Sequence, residues 1–259
     1  MRSKSDASLF ALELILTAAI KIENLTQRYG DFVALDDLSL EIPKGEIFGF
    51  LGHNGAGKTT TVNVLTTLLK PSSGAAYICG SDVETESKKA RQFIGYVPEN
   101  VRLYESMTAQ DNLLFFAKLS GVVNPAQRVV EVLNILECPE LIDKKVGAMS
   151  KGLRQRIGLA QAIIHRPEIL FLDEPTSGLD PLGIKMLRDL IIKLNRELGV
   201  TIFMNTHLIS EVGKTCTSIG VLSQGKLVYK DTTAATLRKY GDEQSLEALY
   251  LSLAPPRAA

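Results

Sequence analysis

The residues best able to do chemistry fall in two short stretches, GHNGAGKTT at 52–60 and FLDEPTSGLD at 171–180. In the first, Gly52, Gly57, Lys58 and Thr59 occupy the fixed places of the phosphate-binding pattern G-x-x-x-x-G-K-[ST]. Its glycines let the backbone bend until successive N–H groups point into one concavity and cradle phosphate oxygens. His53, Asn54, Gly55, Ala56 and Thr60 complete the loop. Lys58 then reaches the β- and γ-phosphates of ATP, and the Thr59 hydroxyl is placed to ligate Mg²⁺. In the second stretch the apolar run ILFL ends in two carboxylates. Asp173 at the strand end would hold Mg²⁺ through water, and Glu174 would face a water in line with the γ-phosphate as general base or water-positioner. Adjacent carboxylates after a strand, taken alone, read more simply as a helix N-terminal cap. Paired with a phosphate loop, they become the metal holder and base of a nucleotide hydrolase.

These side chains need particular elements beneath them. An apolar run at 47–51 precedes the phosphate loop, and TTTVNVLTTLL follows it, with Val62, Val64, Leu65, Leu68 and Leu69 spaced for a helix with one buried face. Strand, glycine loop and helix is the required order, because the helix N-terminus adds partial positive charge under the phosphates. The run before Asp173 is typical of a strand buried on both faces in a parallel sheet.

With these residues placed, the chain resembles the ATP-binding cassette (ABC) ATPases, over about residues 20–229. MSKGLRQR at 149–156 is similar to the family signature: Ser150 and Gly152 match the Ser and second Gly of LSGGQ, while Lys151 and Arg154 depart from the usual Gly and Gln. SGLD at 177–180, with Ser177 and Asp180, is similar to the D-loop; TIFMNTH ends in His207, where the family has its switch histidine; and Tyr29 fits the aromatic that stacks on adenine. IGYVPEN at 94–100 resembles the Gln loop with Glu99 in place of Gln, a side chain that still offers a carbonyl oxygen to Mg²⁺ or the attacking water. The resemblance implies catalytic roles for Glu174, His207 and Lys58. It implies ATP contacts from Tyr29, residues 52–60, Ser177 and Asp180, with Ser150 and Gly152 acting on the nucleotide of a second subunit. It implies Mg²⁺ ligation by Thr59, Glu99 and Asp173.

The same resemblance implies an α/β fold: a P-loop NTPase core, a mostly parallel sheet wrapped by helices, with an antiparallel β-subdomain and a small α-helical subdomain. The expected strands are 47–51, 93–97, 169–173, 201–205 and 219–222, with IKIENL, FVAL and LSLEI in the antiparallel sheet. NLLFFAKLSG and AQRVVEVLNIL carry apolar residues at helical spacing and are assigned to the helical subdomain at about 100–163, with Phe115, Phe116 and Leu119 in its core. The ATP-binding domain is placed at 20–231, after an extension at 1–19 and before a helical tail at 232–259 that ends in the amphipathic SLEALYLSL.

Composition narrows the partners. Lys plus Arg equals Asp plus Glu, 29 of each, so bulk charge gives no reason to expect a nucleic-acid partner. Cys79, Cys138 and Cys216 lie far apart without metal-ligand spacing, which suits a reducing cytosol. The apolar stretch at 7–20 contains Glu13 and is too short to span a bilayer. By resemblance, an ABC ATPase of this length works as a homodimer on the cytoplasmic face of a membrane, driving a separate permease, and the tail favours an exporter. The alternatives are a soluble ABC ATPase of ribosome, DNA or cluster assembly, and a degenerate module that binds nucleotide without turnover. The former class usually carries two cassettes, a coiled-coil insertion or a basic surface; retention of Lys58, Asp173, Glu174 and His207 argues against the latter.

Overall fold

Two-residue alternation, with both faces apolar, builds the central sheet. Phe48, Phe50, Ile169, Phe171 and Phe203 point to one side and Ile47, Leu51, Leu170, Leu172, Ile202 and Met204 to the other, each set buried in its own core. A computed structural model describes residues 18–240 and Tyr250. In chain order its elements are β1 (Ala18–Tyr29), β2 (Phe32–Pro43), β3 (Ile47–Gly52), α1 (Lys58–Leu65), β4 (Ser73–Ile78), β5 (Ser81–Asp82), α2 (Ser87–Gln92), β6 (Ile94–Val97), α3 (Ala109–Leu119) and α4 (Pro125–Ile135). There follow α5 (Lys151–Ile163), β7 (Ile169–Asp173), α6 (Pro181–Leu198), β8 (Thr201–Thr206), α7 (Ile209–Thr215), β9 (Ser218–Ser223), β10 (Lys226–Thr232) and α8 (Thr233–Tyr240).

The six-stranded sheet has the order β10-β9-β3-β8-β7-β6 and is parallel except for β10, which returns antiparallel along β9. A four-stranded antiparallel sheet, β2-β1-β4-β5, covers one of its faces. Between them four phenylalanines, Phe48, Phe50, Phe171 and Phe203, stack with ring centroids 5.2–6.1 Å apart. Truncating one of these rings to Ala would cost about 3–5 kcal/mol. Helices α3, α4 and α5 pack on one another beside the opposite face through Leu113, Ala117, Val129, Val132, Leu133 and Ile157.

Helix ends follow from local chemistry. Thr108 and Asp111 close a reciprocal capping box on α3, Pro125 opens α4, and Asp180 caps α6 by accepting from the Gly183 amide at 2.7 Å. Arg128 is buried and donates to the carbonyls of Ile164 and Ile163, both at 2.9 Å, which satisfies the end of α5.

Several local expectations are corrected. The helix after the phosphate loop stops at Leu65, not Leu69: Thr66 bonds back to the Val62 carbonyl, Thr67 takes φ 62°, and Leu68 is left 67 % exposed. The threonine pair offers the backbone an alternative to the helix. Phe115 and Leu119 are exposed and Phe116 half-buried, because α3 buries the face of Ala109, Asn112, Leu113 and Ala117. FVAL and LSLEI form one continuous strand, β2, and Phe93 lies just before β6. The extension before Ala18 and the amphipathic SLEALYLSL lie outside the described residues, apart from Tyr250.

Candidate active site

The carboxyl ends of the parallel strands converge at one edge of the sheet, the usual place for a ligand in such a fold. Strand β3 runs into the loop at 52–58, β6 leads to Glu99, β7 ends at Asp173, and β8 leads to His207. Parallel register sets Asp173 beside Asn205 and Leu51 beside Thr206, so these ends are level.

The phosphate loop is shaped by its glycines. Gly55 and Gly57 take φ 81° and 108°, the region that side chains avoid. A Cβ on Gly57 would meet the Ala34 carbonyl oxygen at 2.6 Å, and one on Gly52 the Leu222 carbonyl oxygen at 2.7 Å. No side chain fits between this loop and its neighbours at either place. His53, Asn54, Gly55 and Ala56 form the outer turn, closed by the Ala56 amide donating to the His53 carbonyl at 3.0 Å. Lys58 opens α1 and is buried; its Nζ donates to the Gly52 carbonyl at 2.6 Å and the His53 carbonyl at 3.3 Å. Burial pulls this ammonium below its ordinary pKa, against the pull of Glu174 and Asp173. Thr59 and Thr60 follow on α1, with Thr59 exposed.

Asp173 is 8 % exposed and accepts from the Asn205 carboxamide at 2.5 Å. Burial lifts its carboxyl above the ordinary carboxylate range; the Asn205 bond and Lys58 oppose that, and Glu174 and Glu99 add to it. The Tyr96 phenol, beside Asp173, is pushed up to about 12, by burial first and then by that carboxylate. Glu174 sits at φ 46°, a left-handed conformation costing about 1–2 kcal/mol for a residue with a side chain. Its amide donates to the Asn205 carbonyl at 2.8 Å, which holds the turn. The result aims its carboxylate at His207, whose Nδ1 lies 2.8 Å from Glu174 Oε2. Strain stored in a turn that orients a carboxylate is common where chemistry is done.

Ser177 donates through Oγ to Glu99 Oε1 at 2.9 Å, so the loop after Glu174 is tied to the loop after β6. Ser150 caps α5 and, with Lys151, Gly152, Gly178, Leu179 and Asp180, lines a cavity of about 580 Å³ between α5 and α6. No phosphate-loop residue lines it. Tyr29 stands at the tip of the β1–β2 hairpin opposite Phe32, both exposed, on the sheet whose Ala34 and Leu35 abut Gly57. One alignment is corrected: counted from Ser150, the Gln of LSGGQ falls on Leu153, not on Arg154.

Lys58, Asp173, Glu174, Glu99, Ser177 and His207 are thus linked by hydrogen bonds or by their effects on one another's charge, whereas Ser150 and Gly152 are held elsewhere and Tyr29 stands apart. Sequence reading missed Asn205 and Tyr96, the partners of Asp173. Asn205 left one signal, a carboxamide at the polar end of an apolar run. Among the described residues no three His, Cys, Asp or Glu side chains make a metal cage. The Thr59 hydroxyl and the Asp173 and Glu99 carboxylates are oxygen donors of the kind that would suit Mg²⁺, which keeps waters and substrate phosphate oxygens as its other ligands.

This fold and loop define a phosphate-loop nucleoside triphosphatase. Residues 35–177 match the family model described as ABC transporter. The chain is 42 % identical over 214 residues to the uncharacterized ABC transporter ATP-binding protein YhcH of Bacillus subtilis, covering 82 % of this chain and 70 % of that one. It is 41 % identical over 213 residues to the bacitracin transport ATP-binding protein BcrA of Bacillus licheniformis, covering 82 % and 69 %. Among solved structures, cbiO1 of Clostridium perfringens, part of the ABC transporter complex cbiONQ, superposes with TM-score 0.81 at 28 % identity over 92 % of this chain and 96 % of that one. The dimeric bacterial ABC transporter cassette MJ0796 superposes with TM-score 0.74 at 29 % identity over 83 % and 98 %. The chain belongs to the ABC transporter ATP-binding protein family and is an ATPase.

Proposed function

We propose that the chain is the ATP-hydrolysing subunit of an exporter, that two copies close around two ATP molecules, and that a separate permease anchors them to the cytoplasmic face of the membrane. The observation that carries the dimer is the separation of Ser150 and Gly152 from the phosphate loop. Their cavity shares no residue with that loop, which supports a second chain bringing them to its nucleotide. Export is supported by the likeness to a bacitracin transport protein. No helix of the described residues is long and apolar enough to cross a membrane.

In this reading the loop amides at 52–60 and Lys58 hold the phosphates, Tyr29 stacks on adenine, and Thr59, Asp173 and Glu99 hold Mg²⁺. Mg²⁺, when bound, offsets charge on the phosphate oxygens. Glu174 orients the attacking water and accepts its proton, while His207, 2.8 Å from that carboxylate, fixes its direction. Ser177 and Asp180 shape the loop that faces the second subunit.

A permease surface is proposed at loop 99–105 and the adjoining α3. Tyr104 and Phe115 are exposed and pack edge-on at 5.5 Å, with Phe116 beside them. The buried Asn112 carboxamide holds Tyr104 through both its amide, at 2.8 Å, and its carbonyl, at 3.1 Å. Exposed aromatics on a fixed backbone suit recognition of another protein. The test is affinity purification from detergent-solubilised membranes: a polytopic protein should accompany the chain, and recovery of the chain in the soluble fraction with ribosomes or nucleic acid would overturn the transport reading.

A further inference from the structure

Two side chains of opposite charge meet the loop at 177–180 on consecutive residues. Glu99 accepts from the Ser177 hydroxyl at 2.9 Å. Lys151, the first residue of α5, lies against the next residue: a Cβ on Gly178 would be 2.8 Å from Lys151 Nζ and 3.5 Å from its Cδ. Gly178 takes φ 66°, so a side chain there would be strained as well as crowded. Glu99 and Lys151 also share the walls of a cavity of about 480 Å³, together with Arg102, Glu105 and Arg154. In it Arg154 lies 4.0 Å from Glu105, an acid–base pair on the same cavity.

Both residues depart from the pattern this chain otherwise resembles, one neutral amide replaced by an acid and one glycine by a base. Glu99, tied to the loop that follows Glu174, adds a further carboxylate beside Asp173 and Glu174. We propose that Lys151 is a positioning residue that compensates Glu99: the two hold Ser177 and Gly178 between them and so fix the turn that carries Glu174. Uncompensated, Glu99 would crowd negative charge into the site that must admit a nucleotide; the ammonium held against Gly178, one residue from Ser177, offsets it. The proposal rests on hydrolysis being centred on Glu174, and its test includes an arm without turnover.

The experiment is a double-mutant cycle on the full chain, comparing wild type, Lys151→Ala, Glu99→Gln and the double variant at saturating ATP and Mg²⁺, with thermal melts to show that each folds. Lys151→Ala should slow ATP hydrolysis about fivefold or more when Glu99 is present and less than about twofold when Gln replaces it, a coupling of the size expected for neighbouring residues. Lys151→Arg, which keeps the charge, should retain the wild-type rate to within about twofold. In the Glu174→Gln background, the ATP concentration that half-forms the dimer should rise with Lys151→Ala only while Glu99 is present. This arm fails with the proposal even if another residue serves as base, which separates the two readings. Equal losses from Lys151→Ala in both Glu99 backgrounds, no loss at all, or Arg as damaging as Ala would each overturn it, since a merely structural lysine has no reason to depend on the charge of Glu99.

Discussion

At the scale of single residues, Glu174 and Asp173 stand one position apart and are held for different tasks. Glu174 is turned by its left-handed backbone toward His207, in keeping with its proposed role as proton acceptor, whereas Asp173 is buried beside Asn205 and Tyr96. Replacing Glu174 by Gln keeps its shape and removes its basicity. Hydrolysis should fall by about 10²-fold or more while ATP still binds, in line with a lost general base. An ATPase assay beside a nucleotide-binding titration checks this, and a wild-type rate would remove Glu174 from the role. Asp173 makes the opposite kind of prediction. Its carboxyl pKa is raised in the folded protein. The ionised form therefore costs stability, absent below the ordinary carboxylate range near 3.8 and fully present once pH exceeds the raised value. Asp173→Asn should raise the melting temperature of the nucleotide-free protein at pH 7, lose that gain as pH falls through the window, and abolish Mg²⁺-dependent turnover. Melts over a pH series with and without the substitution test it, and a lower melting temperature at pH 7 would show that the Asn205 bond outweighs burial.

At the scale of elements, the loop from Glu99 to Glu105 connects the catalytic pocket to α3. Tyr104 is exposed but anchored at its backbone by Asn112, so its side chain is spare for a partner. Tyr104→Ala or Arg102→Ala should leave basal ATPase of the isolated chain within about twofold and weaken transport in reconstituted vesicles by about tenfold, the effect of losing an interface anchor. Equal loss of basal hydrolysis would make the loop structural. The strands that frame the pocket were legible in the sequence because each is a short apolar run that ends in polar residues, a signal carried entirely by neighbours in the chain. What was not legible depends on distant partners. The aromatic pair in NLLFF reads as core by composition, yet Phe115 turns outward, since the run of apolar residues wraps around α3 and only docking against α4 and α5 decides which of them are buried. Strand β4, SGAAYI, has too little apolar contrast to announce itself, and the pairing of Asp173 with Asn205 is a matter of register between β7 and β8.

At the scale of the whole molecule, the division of site residues between two faces predicts complementation. In the proposed dimer, a Lys58→Ala chain would lack a working phosphate loop and a Ser150→Arg chain a working signature, yet their mixed dimer would retain one intact composite site. Mixtures should hydrolyse ATP faster than either parent alone, and a mixture no faster than its parents would contradict a shared site. A last consequence follows from the sheet order. Strand β3, which feeds the phosphate loop, lies between β8 and β9, so both of its neighbours are encoded after residue 200. The turn after β9 then closes on the loop itself: the Gly225 amide donates to the Ala56 carbonyl at 2.9 Å, and the Gly225 carbonyl accepts from Asp36 at 3.0 Å. On the ribosome, the nucleotide pocket is therefore among the last parts of the cassette to be finished, long after its glycines have left the exit tunnel. A chain stalled during translation before this hairpin emerges should then present an unframed loop with little hold on ATP.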